Sequence, residues 1–434
     1  MAKSKRSKEP ENVSFFGLEL KKVSKDQVKK DLLCISSVSI LAKLLLILIT
    51  TVVFGSFIDL FDISHYFNYA ALVAQGQLPY LDFSVEYPVL FLIPALLPLP
   101  PALITQDVWT YIYAYQIFMV VIDLLIASVV YLIALEISGR NKAYIAGLLY
   151  ASAFSAAYFV ITKYDAFPTF FLMLGLMLTI YGLKKGGYLS ILLGFFAKIF
   201  PAVALPYTFM LNAEKTSLKD EFVDLIKVAV PVALILLILP LILFPDSIMA
   251  YLSASGSGLS VYVNTPTYTI HAVLLIFGIN LAPELISYAM YAVMIILILY
   301  LLGVAYTKKI ENRRNMLLFT LLTMCVAIFF TKFYSPQYIV WITPLLALFL
   351  ATSFRDIVLF YALQIIAYIE FPLFWGIFYE NTKYANEFGT FGWYIAVLFF
   401  AVKYLIVIYI LYTVINSNSD FKKKLDFRNT EKSK

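Results

Sequence analysis

A chain of 434 residues that is 62% hydrophobic and only 14% charged, with a mean hydropathy of +0.85, is not an ordinary soluble protein, in which about one residue in four is charged. Two histidines in all, and two cysteines far apart (Cys34 and Cys325), speak against a His-based zinc site and a disulfide framework. The net charge of +6 is a topology signal rather than a nucleic-acid signal, because the basic residues gather between apolar runs.

In chain order, residues 1–35 are Lys-rich and polar, which predicts a cytoplasmic basic tail and not a signal peptide. Apolar runs near the bilayer-spanning length of about 20 residues follow at 36–58, 109–137, 143–161, 165–182, 223–245, 284–306, 316–331, 337–352, 355–375 and 391–414. They are continuous rather than alternating, so they predict helices and not a barrel. The stretch 88–104 carries Pro88, Pro94, Pro98, Pro100 and Pro101, and is expected to dip into the interface without crossing. The stretch 188–211, broken by Pro201 and Pro206, is expected to enter and return as two half-helices. Residues 415–434 form a second basic cytoplasmic tail.

Charge supports this arrangement. With a cytoplasmic N-terminus, the inner segments hold 27 of 33 Lys/Arg, Lys43 and Lys403 sit within spans, and only Lys163, Lys198, Lys332 and Lys383 fall outside. The expected fold is therefore an all-α polytopic membrane protein of about ten to twelve transmembrane helices, residues 36–414. Residues 59–108 form its first extracytoplasmic loop.

That loop holds Asp59, Asp62, His65, Asp82 and Glu86, a dense acidic group in a chain poor in charge. Asp62, Tyr66, Tyr69 and Val73 recur at helical spacing and share one face. A short helix over 62–74 lying on the outer surface is predicted, ended by Gly76. The plainer alternative is a solvated loop with interfacial tyrosines. Lys163-Tyr164-Asp165 forms a tight outer turn. Lys198 lies between Phe195, Phe196 and Phe200, where a lysine needs a partner or a polar cavity. Lys332 opens the turn Lys332–Tyr338, and the outer loop 246–283 brings a Ser/Gly-rich stretch, Tyr262, Asn264, Tyr268 and His271. A carboxylate can act as general base towards a hydroxyl, and lysines suit a leaving lipid phosphate. The chemistry these parts allow is group transfer from a lipid-phosphate-linked donor. A secondary transporter or flippase for an anionic or lipid-linked sugar is the alternative. Its buried midplane charge would be Asp123, Glu370 or Lys403. A non-catalytic subunit of a membrane complex is a third reading.

The run Asp62-Ile63-Ser64-His65-Tyr66, then Gly76-Gln77-Leu78-Pro79-Tyr80, then Glu86-Tyr87-Pro88-Val89-Leu90 resembles the first-loop signature of GT-C polyprenyl-phosphate-mannose-dependent mannosyltransferases. These include the bacterial and archaeal enzymes that mannosylate phosphatidylinositol mannosides, and the catalytic subunit of the first glycosylphosphatidylinositol mannosyltransferase. Lys198-Ile199-Phe200-Pro201 with Leu205-Pro206 is similar to their K-x-Y-P…L-P. Ser335-Pro336-Gln337-Tyr338-Ile339-Val340-Trp341 is similar to S-x-Q-Y-x-x-W, and Lys163-Tyr164-Asp165-x-x-Pro168 to R-x-D-x-x-P. Val89 stands where the signature has a second proline, and Lys163 where it has arginine.

The resemblance implies a GT-C type fold and an inverting transfer of a hexose from polyprenyl (dolichyl) phosphate to a lipid or glycan acceptor. The sugar is mannose by the resemblance, with glucose or another hexose open. It implies Asp62 as catalytic base with Asp59 as second candidate, and Lys198, Lys332 and Lys163 around the donor phosphate. Tyr334 and Gln337 make polar contacts, and Tyr66, Tyr80 and His271 complete the substrate-binding set. Glu86 and Asp165 are structural or sugar-binding. Asp62 is expected to face Lys198 and Lys332 across a lipid-phosphate site. No metal or other cofactor is implied. The expected partners are the donor, the acceptor and the lipids of the cell membrane, with no nucleic acid.

Overall fold

Ser24 caps the first long helix, its side chain accepting from Gln27 N at 3.2 Å. The computed structural model describes residues 13–15, 18–20, 23–245, 261–383 and 387–425, so the Ser/Gly-rich stretch 253–260 lies outside the described residues. A small hairpin, β1 (Val13–Phe15) with β2 (Leu18–Leu20), precedes α1 (Lys25–Ile47). Then follow α2 (Phe61–Ala74), the short α3 (Leu92–Leu96) and α4 (Leu99–Thr105), α5 (Val108–Ser138), α6 (Arg140–Ala151), α7 (Phe154–Thr162) and α8 (Ala166–Ile180). Next come α9 (Lys184–Ala197), α10 (Leu205–Ala213), α11 (Leu218–Ala233) running on into α12 (Leu239–Leu243), α13 (Pro266–Ile276) and α14 (Pro283–Thr307). The chain closes with α15 (Arg313–Phe329), α16 (Ile339–Leu350), α17 (Phe354–Tyr368), α18 (Trp375–Lys383), α19 (Phe391–Asn416) and α20 (Ser419–Leu425).

Among the described residues, six helical stretches are long and apolar enough to cross a membrane, or seven if α6 and α7 form one bent span. The chain is a polytopic, helical membrane protein. Its long helices divide by environment. Those at the rim expose apolar side chains as lipid requires, such as Leu41 and Leu44 on α1, Ile296 and Leu299 on α14, and Leu405 and Ile408 on α19. The centre is α5, α15 and α16, with every residue of α16 buried. Ten to twelve spans were expected, and several of the apolar runs counted among them form helices shorter than these six. Among the described residues α8, α15 and α16 have only 15, 17 and 12 residues, short of the roughly 20 a span needs. Their apolar runs face protein neighbours rather than lipid.

Several expectations are corrected by local structure. The first helix starts at Lys25, inside the expected tail. Asp31 is buried there, held by Arg140 through two bonds of 2.8 and 2.9 Å and by Tyr131 at 2.9 Å. The run 143–161 is two helices bent by 54° around Ser152 and Ala153. Ser152 Oγ donates back to Leu148 O, and the Ala156 amide opened by the bend donates to Gln364 Oε1. The expected loop 246–283 contains α13, capped by Thr265 with Pro266 at its first position. The C-terminal tail carries α20, whose Phe421 is buried against the Phe319 ring. The stretches 88–104 and 188–211 are irregular as expected. The second doubles back, since Lys184 at the start of α9 bonds Asn212 O at the end of α10 at 3.4 Å.

Ion pairs sort the ends of the bundle into two faces. On one, Arg140 meets Asp31, Arg313 meets Glu136, Lys184 meets Glu221 and Lys424 meets Glu311. This basic face ties together the turns that carry most of the positive charge. The 163–165 turn, Lys198 and the 331–338 turn lie on the opposite face.

α8 and α9 approach through glycine. A Cβ on Gly175 would lie 2.6 Å from Ile191 Cγ1 and 2.9 Å from the Gly187 carbonyl, so the backbones themselves are in contact. Gly175→Leu should force the hairpin open and destabilise the protein by about 1–3 kcal/mol. Gly186→Leu is the control, since its Cβ meets only the tip of Leu178 at 3.3 Å. Equal melting temperatures of the two variants in detergent would contradict this packing.

Candidate functional site

Asp59 sets up the acidic loop. Its Oδ1 accepts from Phe61 N at 3.0 Å, and its own amide donates to the Tyr158 hydroxyl at 2.8 Å. Tyr158 in turn donates to Phe57 O at 2.9 Å. α2 follows, and Gly76 at φ +86° ends it in the left-handed region glycine favours. The predicted shared face holds, because Tyr66 and Tyr69 are buried and Asp62 sits at its partly exposed end. The Tyr66 ring lies 5.0 Å from Phe91, 5.7 Å from Tyr115, and 5.9 Å from both Tyr87 and Tyr164. Burial first, and then the Asp62 charge, push the Tyr66 and Tyr87 hydroxyls well above the usual tyrosine range, so both stay neutral.

The bend between α6 and α7 brings Lys163 to this loop. Its Nζ is 2.7 Å from Asp59 Oδ2 and 2.9 Å from Asp62 Oδ2. Burial works against the Lys163 charge, but the Asp62 and Asp59 carboxylates overrule it and hold its pKa above the ordinary lysine value. Asp59 therefore has both oxygens engaged, whereas Asp62 Oδ1 has no hydrogen bond among the described residues.

Two residues on, fully buried Asp165 forms a second centre. Its Oδ1 accepts from Lys198 Nζ at 2.7 Å and from Trp341 Nε1 at 2.5 Å, and its Oδ2 has no partner among the described residues. The Lys198 ammonium also lies 4.8 Å over the Tyr164 ring and 5.3 Å over Trp341. The turn Lys163-Tyr164-Asp165 thus joins the two ionic centres. It is Lys163, and neither Lys198 nor Lys332, that meets Asp62.

Trp341 continues the site. It stacks between Phe200 at 4.0 Å and Tyr338 at 3.9 Å, and these three rings wall a cavity of about 480 Å³. The other walls are apolar residues such as Val203 and Ile328, with Tyr291 from α14 and Lys332 from the 331–338 turn. Lys332 has no carboxylate partner among the described residues, unlike Lys163 and Lys198. The arrangement offers an apolar groove carrying Lys332, which lacks a carboxylate partner among the described residues, with the Asp165–Lys198 centre bonded to the Trp341 of its aromatic wall.

The remaining candidates are dispersed. Tyr80 is buried in a left-handed turn (φ +67°) and donates to Tyr87 O at 2.6 Å, which fixes the loop. Glu86 is exposed. Tyr334 is buried against Phe329, and Gln337 is partly buried in the turn Pro336–Tyr338. His271 lies on α13 with Nδ1 2.8 Å from Leu281 O, closing the turn after its own helix. Trp341 and Tyr158, which organise the two centres, were not singled out from sequence. The only signal for Trp341 was its place at the end of the Ser335–Trp341 motif. No protein-family model, curated protein or solved structure matches the chain.

Proposed function

We propose that the chain is a membrane glycosyltransferase. It moves a hexose, mannose by its GT-C motifs, from polyprenyl phosphate to a lipid or glycan acceptor, with inversion. The observation that carries this reading is the apolar cavity beside Lys332, whose Phe200–Trp341 wall backs onto the Asp165–Lys198 centre. An isoprenoid tail suits the apolar groove, and an ammonium without a carboxylate partner among the described residues suits the phosphate. In this scheme Asp62 Oδ1 takes the proton of the acceptor hydroxyl. The oxygen forms a bond to C1 of the sugar, the C1–O bond to phosphate breaks, and the phosphate leaves with the electron pair beside Lys332. Asp59 orients Lys163 and the loop. By the positive-inside rule the basic face is cytoplasmic with both termini, and the site opens outside the cell membrane.

A transporter would use the same doubled-back helices. Its candidate midplane charges, however, are locked in pairs. Lys43 lies 2.6 Å from Asp123 and Lys403 lies 2.9 Å from Glu370, all four fully buried. Purified protein in proteoliposomes, given polyprenyl-phosphate mannose and a cell lipid extract, should produce a mannosylated lipid or glycan. Movement of the donor across sealed vesicles without any new glycoside would replace the enzyme reading with the transporter. Lys332→Gln should raise the KM for donor about tenfold or more, the loss expected for one charge-assisted contact, and leave folding unchanged. A donor KM equal to wild type would remove Lys332 from the phosphate site.

A further inference from the structure

Lys332 is useful as a phosphate contact only if its turn is held in place. The turn has few bonds of its own. Thr331 Oγ1 donates to Phe333 O at 2.7 Å, and the Lys332 amide reaches only the Tyr291 hydroxyl, at 3.5 Å. Tyr334 and Phe333 pack against Tyr338 within the turn, and a distant part of the chain adds further support. Tyr262 N donates to Lys332 O at 2.9 Å, and the Tyr262 ring meets Phe333 edge-on at 4.5 Å.

Two residues beyond Tyr262, Asn264 is fully buried and anchored by ions. Its Nδ2 donates to Glu370 Oε1 at 2.7 Å, and its carbonyl accepts from Lys403 Nζ at 3.3 Å and from the Tyr404 hydroxyl. Lys403 binds both Glu370 oxygens, at 3.1 and 2.9 Å. Its ammonium also sits 4.4 Å from the Tyr334 ring, two residues past Lys332 in the same turn. The pair therefore contacts the turn's support at two points, through Asn264 next to Tyr262 and through the Tyr334 ring. Burying two charges at this depth is expensive, and well-packed apolar residues would stabilise the helices equally.

We propose that Glu370 and Lys403 are positioning residues that hold the Lys332 ammonium at the cavity. This rests on the reading of the cavity as a lipid-phosphate site. The pair does not touch the donor. It acts through Asn264 and Tyr262 on where Lys332 stands.

A single replacement would strand a buried charge and could unfold the protein, so the test uses the charge-balanced double variant Glu370→Gln/Lys403→Met. Binding of undecaprenyl phosphate to the purified protein in detergent is measured beside donor KM and kcat. The double variant should fold and melt near wild type. Its affinity for undecaprenyl phosphate should fall about ten- to a hundredfold, with a matching rise in donor KM and little change in kcat. In a Lys332→Gln background the same double change should weaken binding no further. Unchanged phosphate affinity in the folded double variant would overturn the proposal, as would a full loss added on top of Lys332→Gln. If Lys332→Gln alone leaves phosphate affinity intact, the cavity reading fails instead, and the positioning role falls with it.

Discussion

Asp62→Asn should lower sugar transfer by about 10²–10⁴-fold, the contribution of a placed general base. Asparagine keeps the shape of the side chain, and its Oδ1 can still accept from Lys163. The fold and donor affinity should therefore survive. The effect should separate Asp62 from its neighbour. Both Asp59 oxygens are already engaged, one by Phe61 N and one by Lys163, which leaves Asp62 Oδ1 as the oxygen more open to an acceptor hydroxyl. Asp59→Asn should lose much less activity, through a looser Lys163. Initial rates at saturating donor decide it. Full turnover in Asp62→Asn, or a deeper loss in Asp59→Asn, would reassign the base.

Lys43→Met should lower stability by about 3–5 kcal/mol, because it leaves the Asp123 carboxyl group buried in the bundle without its cation partner. Asp123 Oδ2 accepts from Lys43 at 2.6 Å and from Ser39 Oγ at 2.7 Å, and its Oδ1 accepts from the Tyr150 hydroxyl at 2.7 Å. Both partners of the pair are about 1% exposed, so water cannot replace the missing ammonium. Adding Asp123→Asn to Lys43→Met should recover most of the loss, since the asparagine Oδ1 can still accept from the Tyr150 hydroxyl while its Nδ2 donates to Ser39 Oγ. Denaturant melts in one detergent compare the variants. A wild-type melt for Lys43→Met, or no recovery in the double variant, would show that the pair does not hold the helices together. The pair ties α1 to α5 and so supports the frame on which α7 bends towards Asp59.

The elements that read clearly from sequence were those set by local periodicity and local breakers. α2 was legible because Tyr66 and Tyr69 follow Asp62 at helical spacing and Gly76 supplies a left-handed stop. The breaks at 88–104 and around Pro201 were legible because proline removes a backbone donor wherever it stands. The bend at Ser152 was not legible. Neither Ser152 nor Ala153 breaks a helix by itself, and the bend depends on Gln364, over two hundred residues away, accepting the opened amide. α13 and α18 were missed because short helices in polar loops are stabilised by packing on α19 more than by their own pattern.

For the candidate site, the sequence by itself determined the inventory: a membrane-embedded helical chain, one acidic loop, and a few lysines set apart from the basic turns. These follow from the cost of charge in lipid, which acts on each segment alone. Only the tertiary structure decided which charges meet. The α7 bend gave Lys163 to Asp59 and Asp62, Asp165 took Lys198, and Lys332 was left facing an apolar cavity. Pairing across a hundred residues depends on helix angles and side-chain reach, and neither is carried by composition or spacing.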